Sequence, residues 1–167
     1  MNRLQESFYT RDVLEVAPDL LGKTLCIHSE NTIHSYIISE VEAYRGEEDK
    51  ACHASKGRTT RTEIMYRNGG VIYIYLIYGM HWMFNIVCGE KDVPQAVLIR
   101  GLQEISGPGR LTKKLKIDSS FNGESLLSSE RIWLENGSKP DKIFTSPRIG
   151  IAYAGEPWTS KKWRFFI

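Results

Sequence analysis

With 167 residues the chain can close one hydrophobic core without metals or bridges, and a net charge of +2, with 25% of residues charged, excludes a protein that holds a polyanion by bulk charge alone. Three cysteines, Cys26, Cys52 and Cys88, are odd in number and far apart, which argues against a disulfide framework and for reduced thiols in a cytosolic compartment. The amino-terminal stretch lacks the apolar core of a signal peptide and no apolar run approaches the ~20 residues of a membrane-spanning helix, so a cytoplasmic protein without a membrane partner is expected.

No linker or internal repeat divides the sequence, and residues 1–167 read as one domain. Thr10 can cap a short helix from Arg11, with Val13, Leu14 and Ala17 on one side; Pro18 would start a further turn that Gly22 stops. Strands are expected at Lys23–His28 and His34–Tyr44, around a loop at Ser29–Asn31. On the second strand Glu40, Glu42 and Tyr44 share a face while Val41 and Ala43 take the other. Two carboxylates and a phenol on one face fit the wall of a polar cleft, not a core. Gly46 to Asn68 is a long polar stretch carrying His53, Lys56, Arg58, Arg61 and Arg67, and a loop of that length in a compact domain is usually functional or mobile. Cys52 precedes His53 there without CxxC or HxxxH spacing, so no metal site is expected. The densest β signal, Val71–Tyr78, turns at Gly79-Met80-His81 into Trp82–Cys88 as a hairpin. Ala96–Arg100 is apolar until it ends on a guanidinium, and Gly107-Pro108-Gly109 opens a short helix over Arg110–Leu115. Ile132–Leu134, Arg148–Ala152 and Trp163–Ile167 read as further strands. The whole is a mixed α/β domain, mostly antiparallel sheet with small peripheral helices.

Glu42 ends a strand just before the polar loop, where an ionised carboxylate can deprotonate a water; by itself it reads as an ordinary surface or ion-paired carboxylate. Arg100, at another strand end, is its candidate partner or one half of a structural salt bridge. Tyr73 and Tyr75 share a face, as core or cross-strand aromatics do. Tyr78 instead stands beside Gly79 at a hairpin tip, where burial is hard and an aromatic can act as a wedge in a DNA stack. Arg58, Arg61 and Arg67 fit either phosphate contacts or a solvated loop. Asn85 lies inside the apolar run Met83–Val87, where a buried amide must find partners, which makes it a pocket candidate.

Glu42-Ala43-Tyr44, Ala51-Cys52-His53, Arg58-Thr59-Thr60-Arg61, Tyr73–Met80, Asn85, Leu98-Ile99-Arg100, Gly107–Leu111 and Ser146–Ile151 resemble, in this order and spacing, the alkyladenine (3-methyladenine) DNA glycosylases. The likeness runs from Val16 to Phe166. It implies a single mixed α/β domain around a curved antiparallel sheet, with peripheral helices and a protruding hairpin. It also implies a monofunctional base-excision repair enzyme. Such an enzyme flips an alkylated or deaminated purine out of duplex DNA and hydrolyses its N-glycosidic bond, leaving an abasic site. In that scheme Glu42 activates the water, and Arg100 and the carbonyl of Ile149 hold it. Tyr44 and His53 form one wall of the base pocket, Tyr75 the opposite wall, and Asn85 lies near the base edge. Tyr78 enters the duplex with Met80 beside it, and Arg58, Arg61 and Arg110 meet the DNA. The resemblance implies no cofactor or metal, and no lysine falls at a catalytic position. The partner would be double-stranded DNA containing damaged purines and the working form a monomer, in the cytoplasm and on the nucleoid if the source is bacterial. Thr60, where family members often have proline, and the Tyr66–Gly70 approach to the hairpin depart from the pattern without touching the catalytic residues. Two other readings remain open from the residues. A module that binds modified bases without cleaving them would have no need of Glu42, and a hydrolase of small nucleosides would have no use for Tyr78.

Overall fold

The structure is a computed structural model that describes residues 2–167. In chain order it runs α1 (Glu6–Tyr9), α2 (Val13–Leu20), β1 (Thr24–Ser29), β2 (Thr32–Arg45), β3 (Ile72–Ile77), β4 (His81–Cys88), β5 (Gln95–Leu102), β6 (Ile105–Ser106), α3 (Pro108–Leu115), β7 (Ile132–Glu135), β8 (Phe144–Ser146) and β9 (Arg164–Phe166). Short 3-10 turns stand at His53–Lys56, Glu63–Tyr66, Ser119–Phe121 and Ala152–Ala154. The strands form one antiparallel sheet in the order β3-β4-β5-β2-β1-β7, with β6 on β5 and β9 joining β2 to β8. The fold is mixed α/β.

The long strand β2 organises this sheet. Its first half pairs with β1 from Thr32 to Ile37, around a two-residue turn in which Glu30 and Asn31 both take positive φ, the geometry that matches strand twist. Its second half pairs with β5 and, over Glu40–Glu42, with β9. Alternation then separates two faces. Val41, Ala43, Ile72, Ile74, Phe84, Ile86, Val97 and Ile99 point into the main core, where Val13, Val16, Ala17 and Leu20 of α2 and Leu111 of α3 cover them. Each large side chain buried there contributes about 1.5–3 kcal/mol. The other face carries Glu42, Tyr44, Tyr73 and Asn85 and is covered by the polar stretch after β2.

The β2–β5 register slips near Glu40. Val41 opposes Ile99 and Glu40 opposes Gly101, so Arg100 has no partner in the ladder and occupies a bulge. A Cβ on Gly101 would stand 3.2 Å from the Glu40 Cβ, tighter than ordinary packing, so a larger residue would crowd the bulge.

Four local expectations are corrected. The second helix starts after Asp12, whose carboxylate accepts from the Leu14 N–H, whereas Thr10 ends α1. Pro18 lies inside the last turn of α2, where it removes one i→i−4 hydrogen bond just before the helix ends, and does not open a new turn. The hairpin turns on Tyr78-Gly79-Met80, since Ile77 pairs with His81; Tyr78 (φ 53°) and Gly79 (φ 63°) are both left-handed. Arg148–Ala152 is not a strand. Arg148 is drawn into the interior by Asp49, Gly150 takes φ 73°, and the strand lies earlier at Phe144–Ser146.

Candidate active site

Directly opposed residues of an antiparallel pair project to the same face. The register therefore aligns Tyr73, Asn85, Leu98, Glu42 and Arg164 in one row across β3, β4, β5, β2 and β9. Tyr44 opposite Ala96 lies on one side of this row and Tyr75 opposite Met83 on the other. The segment after β2 folds over these residues and leaves a narrow cleft that opens to solvent. Its lining includes Tyr44, His53, Tyr73, Tyr75, Asn85 and Tyr153.

Glu42 sits behind Tyr44 with 0% exposure. Its Oε1 is 2.9 Å from Nη1 of Arg100, and its Oε2 accepts from the Tyr44 hydroxyl at 3.2 Å and from the Ile149 N–H at 3.3 Å. Burial pushes its proton affinity above the ordinary carboxylate range, while Arg100 and then the Ile149 N–H oppose that shift. The bulge aims Arg100 at this carboxylate. The structure gives Ile149 an N–H contact to Glu42, beside the role that the resemblance implies for its carbonyl.

Arg148 supports the Tyr44 wall. Its guanidinium forms two bonds to the buried Asp49, at 2.6 and 2.9 Å, donates to the Ala43 carbonyl at 2.9 Å, and lies 4.9 Å from the Tyr44 ring and 5.0 Å from that of Trp163. Asp49 in turn accepts from the Arg45 and Ala51 N–H groups, which fixes the start of the polar loop. On the other side His53 Nδ1 and the Tyr73 hydroxyl share a hydrogen bond of 2.8 Å. Burial, aided by the positive charges of Arg61 and Lys56, pushes the His53 pKa down to about 4, so the ring is neutral near pH 7. His53 lies against Tyr75 with ring centroids 4.4 Å apart, whereas the sequence reading set them on opposite walls. The rings are in contact, so a purine enters between them only if they part.

Tyr78 and Met80 project from the hairpin tip with 85% and 68% exposure. Arg61 is exposed, 5.5 Å from the Tyr75 ring at the cleft. Arg110 is exposed on α3, whose Gly109 packs against His81 of the hairpin. Arg58 is different: it binds both oxygens of Glu63 at 2.7 Å and Asp92 at 2.9 Å, so its donors already serve the loop. Sequence reasoning missed Tyr153, Asp49 and the role of Arg148. Tyr153 is largely exposed, yet its hydroxyl donates to the Ala51 carbonyl at 3.0 Å and joins two loops across the cleft. Arg148 lay inside a recognised motif; for Asp49, in a polar stretch, no local signal existed. Among the described residues no group of three or more His, Cys, Asp or Glu side chains converges to hold a metal, and no helix is long and apolar enough to cross a membrane.

The chain matches the family described as methylpurine-DNA glycosylase over residues 7–106 and 102–167. A protein of Natranaerobius thermophilus is 40% identical over 99% of this chain and 95% of its own length. One from Legionella pneumophila is 43% identical over 100% of this chain and 95% of its own, and one from Borreliella burgdorferi 44% identical over 96% and 93%. All three carry "3-methyladenine DNA glycosylase" in their names. Near-complete coverage by the family description and by relatives at these identities shows that the chain belongs to the methylpurine-DNA glycosylase family and is a DNA glycosylase.

Proposed function

We propose that the protein extrudes an alkylated or deaminated purine of the 3-methyladenine type from duplex DNA into the aromatic cleft and hydrolyses its N-glycosidic bond. The observation that carries this reading is a solvent-free carboxylate, Glu42, gripped by Arg100 behind the Tyr44 wall of that cleft. The attacking water gives its proton to Glu42, its oxygen bonds to the sugar C1′, and the C1′–N bond breaks with its electron pair leaving on the base. The carboxylate also favours the positive charge that develops on the sugar. Glu42 holds the Tyr44 hydroxyl and the Ile149 N–H at long distances, so a small displacement frees Oε2 for water. A neutral His53 sets no charge against a cationic purine. This reading is hydrolysis to an abasic site without Schiff-base chemistry. A monomer on damaged duplex is the working form in this reading.

The test is base release from duplexes that each carry one lesion: 3-methyladenine, 7-methylguanine, hypoxanthine or ethenoadenine. Abasic sites should form in at least one duplex, in excess chelator as without it, and the free damaged nucleosides should stay intact. Tight binding to every lesion without release would instead make the protein a reader of modified bases.

Tyr78 is the residue that fills the space left by the extruded base, since it is exposed on a tip that has no core to join. Tyr78→Ser should lower the single-turnover rate about tenfold on a paired lesion and less on a bulged one, where extrusion already costs less. Its melting temperature should stay close to that of the unaltered protein. Equal losses on both substrates with a large melting shift would return Tyr78 to a packing role.

Arg61 is the better phosphate contact of the two loop arginines, because Arg58 is engaged by Glu63 and Asp92. Arg61→Gln should flatten the salt dependence of duplex binding by a slope of about 0.9, and Arg58→Gln should change it much less. The opposite ranking in a salt titration would restore Arg58 to the DNA.

A further inference from the structure

Arg100 stands between two carboxylates. Its Nη1 lies 2.9 Å from Glu42, while its Nε, which has no hydrogen-bond partner among the described residues, lies 3.6 Å from Oε2 of Glu40. That same Glu40 oxygen accepts from Nε of Arg164 at 2.9 Å, and Nη1 of Arg164 donates to the Ser146 hydroxyl at 2.9 Å. The side chains of Arg100, Glu40 and Arg164 are only 15%, 15% and 22% exposed, so charges of alternating sign run inward from Arg164 to Glu42 with little screening. The bulge that leaves Arg100 out of the ladder is what lets one guanidinium reach both carboxylates.

We infer that Glu40 and Arg164 are positioning residues that set the proton affinity of Glu42 through Arg100, and with it the pH at which the base is ready. This rests on the proposed role of Glu42 as the base. The other charged or titratable groups facing Glu42 are Arg148 from the segment after β8, Tyr44 on its own strand, Tyr75 on β3 and Tyr153. Asp49 balances Arg148, and burial keeps the three phenols protonated throughout the acid range. Arg100 is the largest influence favouring the ionised form, so what shares its charge matters most. Glu40 competes with Glu42 for the guanidinium and repels its charge. Arg164 cancels part of that repulsion.

The two residues therefore act with opposite signs. In Glu40→Gln, Glu42 ionises at lower pH; in Arg164→Gln it ionises at higher pH; the double variant, having lost one charge of each sign, falls between. The measurement is a carbon NMR titration of the free protein labelled at glutamate carboxyls, with the Glu42 signal identified by its absence from Glu42→Gln. The midpoint should move by about half a unit to one unit in each direction. No movement, or movement of both single variants the same way, would overturn the inference, and a merely structural role for either residue predicts no such pair of shifts. Single-turnover base release against pH separates this inference from the reading beneath it. If the NMR midpoints move as expected but the acid limb of the rate does not, Glu42 is not the base. If Glu42→Gln abolishes base release yet the midpoints stay fixed, the role of Glu42 stands and its control by Glu40 and Arg164 is wrong.

Discussion

Glu42→Gln is expected to lower single-turnover base release by a factor of about 10²–10⁴ while binding to lesion duplex changes only a few-fold. The substitution keeps the shape of the side chain in a site where every oxygen has a neighbour: Arg100 on one, Tyr44 and Ile149 on the other. What it removes is the capacity to take a proton from water, which matters in the transition state and hardly in the bound ground state. The pH profile gives a second reading. A general base must be ionised, and burial raises the proton affinity of Glu42, so the rate should fall as pH drops through a midpoint above the ordinary carboxylate range. That acid limb should be missing from the residual activity of Glu42→Gln. A variant that releases base as fast as the unaltered protein would remove Glu42 from the chemistry.

The largest stability effect is expected at the buried Asp49–Arg148 pair. Both side chains are 0% exposed and joined by two bonds, and Arg148 is further held between the Tyr44 and Trp163 rings. Asp49→Ala strands a guanidinium in the interior and also frees the Arg45 and Ala51 N–H groups that the carboxylate accepts. Breaking such a pair from one side costs about 3–5 kcal/mol. For a domain of this size that corresponds to a fall of roughly 10 °C in melting temperature. Replacing both partners, as in Asp49→Leu with Arg148→Met, should recover part of the loss because neither charge is then stranded. Activity should not recover with it, since Arg148 backs the Tyr44 wall and precedes Ile149 on Glu42. A thermal melt of Asp49→Ala within about 2 °C of the unaltered protein would contradict this account.

The sequence by itself determined what depends on local pattern. The alternation in β2 put Glu42 and Tyr44 opposite Val41 and Ala43, and the structure keeps that division, with the apolar pair in the core. The run Val71–Tyr78 with its glycine announced a hairpin with exposed aromatic Tyr78 at its tip, although the turn closes one residue earlier than its glycine suggested. The motifs in their order gave the family. Only the tertiary structure decided contacts between distant segments. The bulge that aims Arg100 at Glu42 and Glu40 is a property of the register between β2 and β5, and neither strand encodes it alone. Asp49 finds Arg148 across 99 residues, and that pull on the arginine overrides the local strand signal of Arg148–Ala152. His53 rests on Tyr75, Tyr153 reaches Ala51, and Arg58 is taken up by Glu63 and Asp92, each through the way the polar loop folds over the sheet. The physical reason is the same in each case: periodicity and turn chemistry are set by neighbours in the chain, whereas burial, ion pairing and proton affinity are set by whatever the closed fold brings alongside.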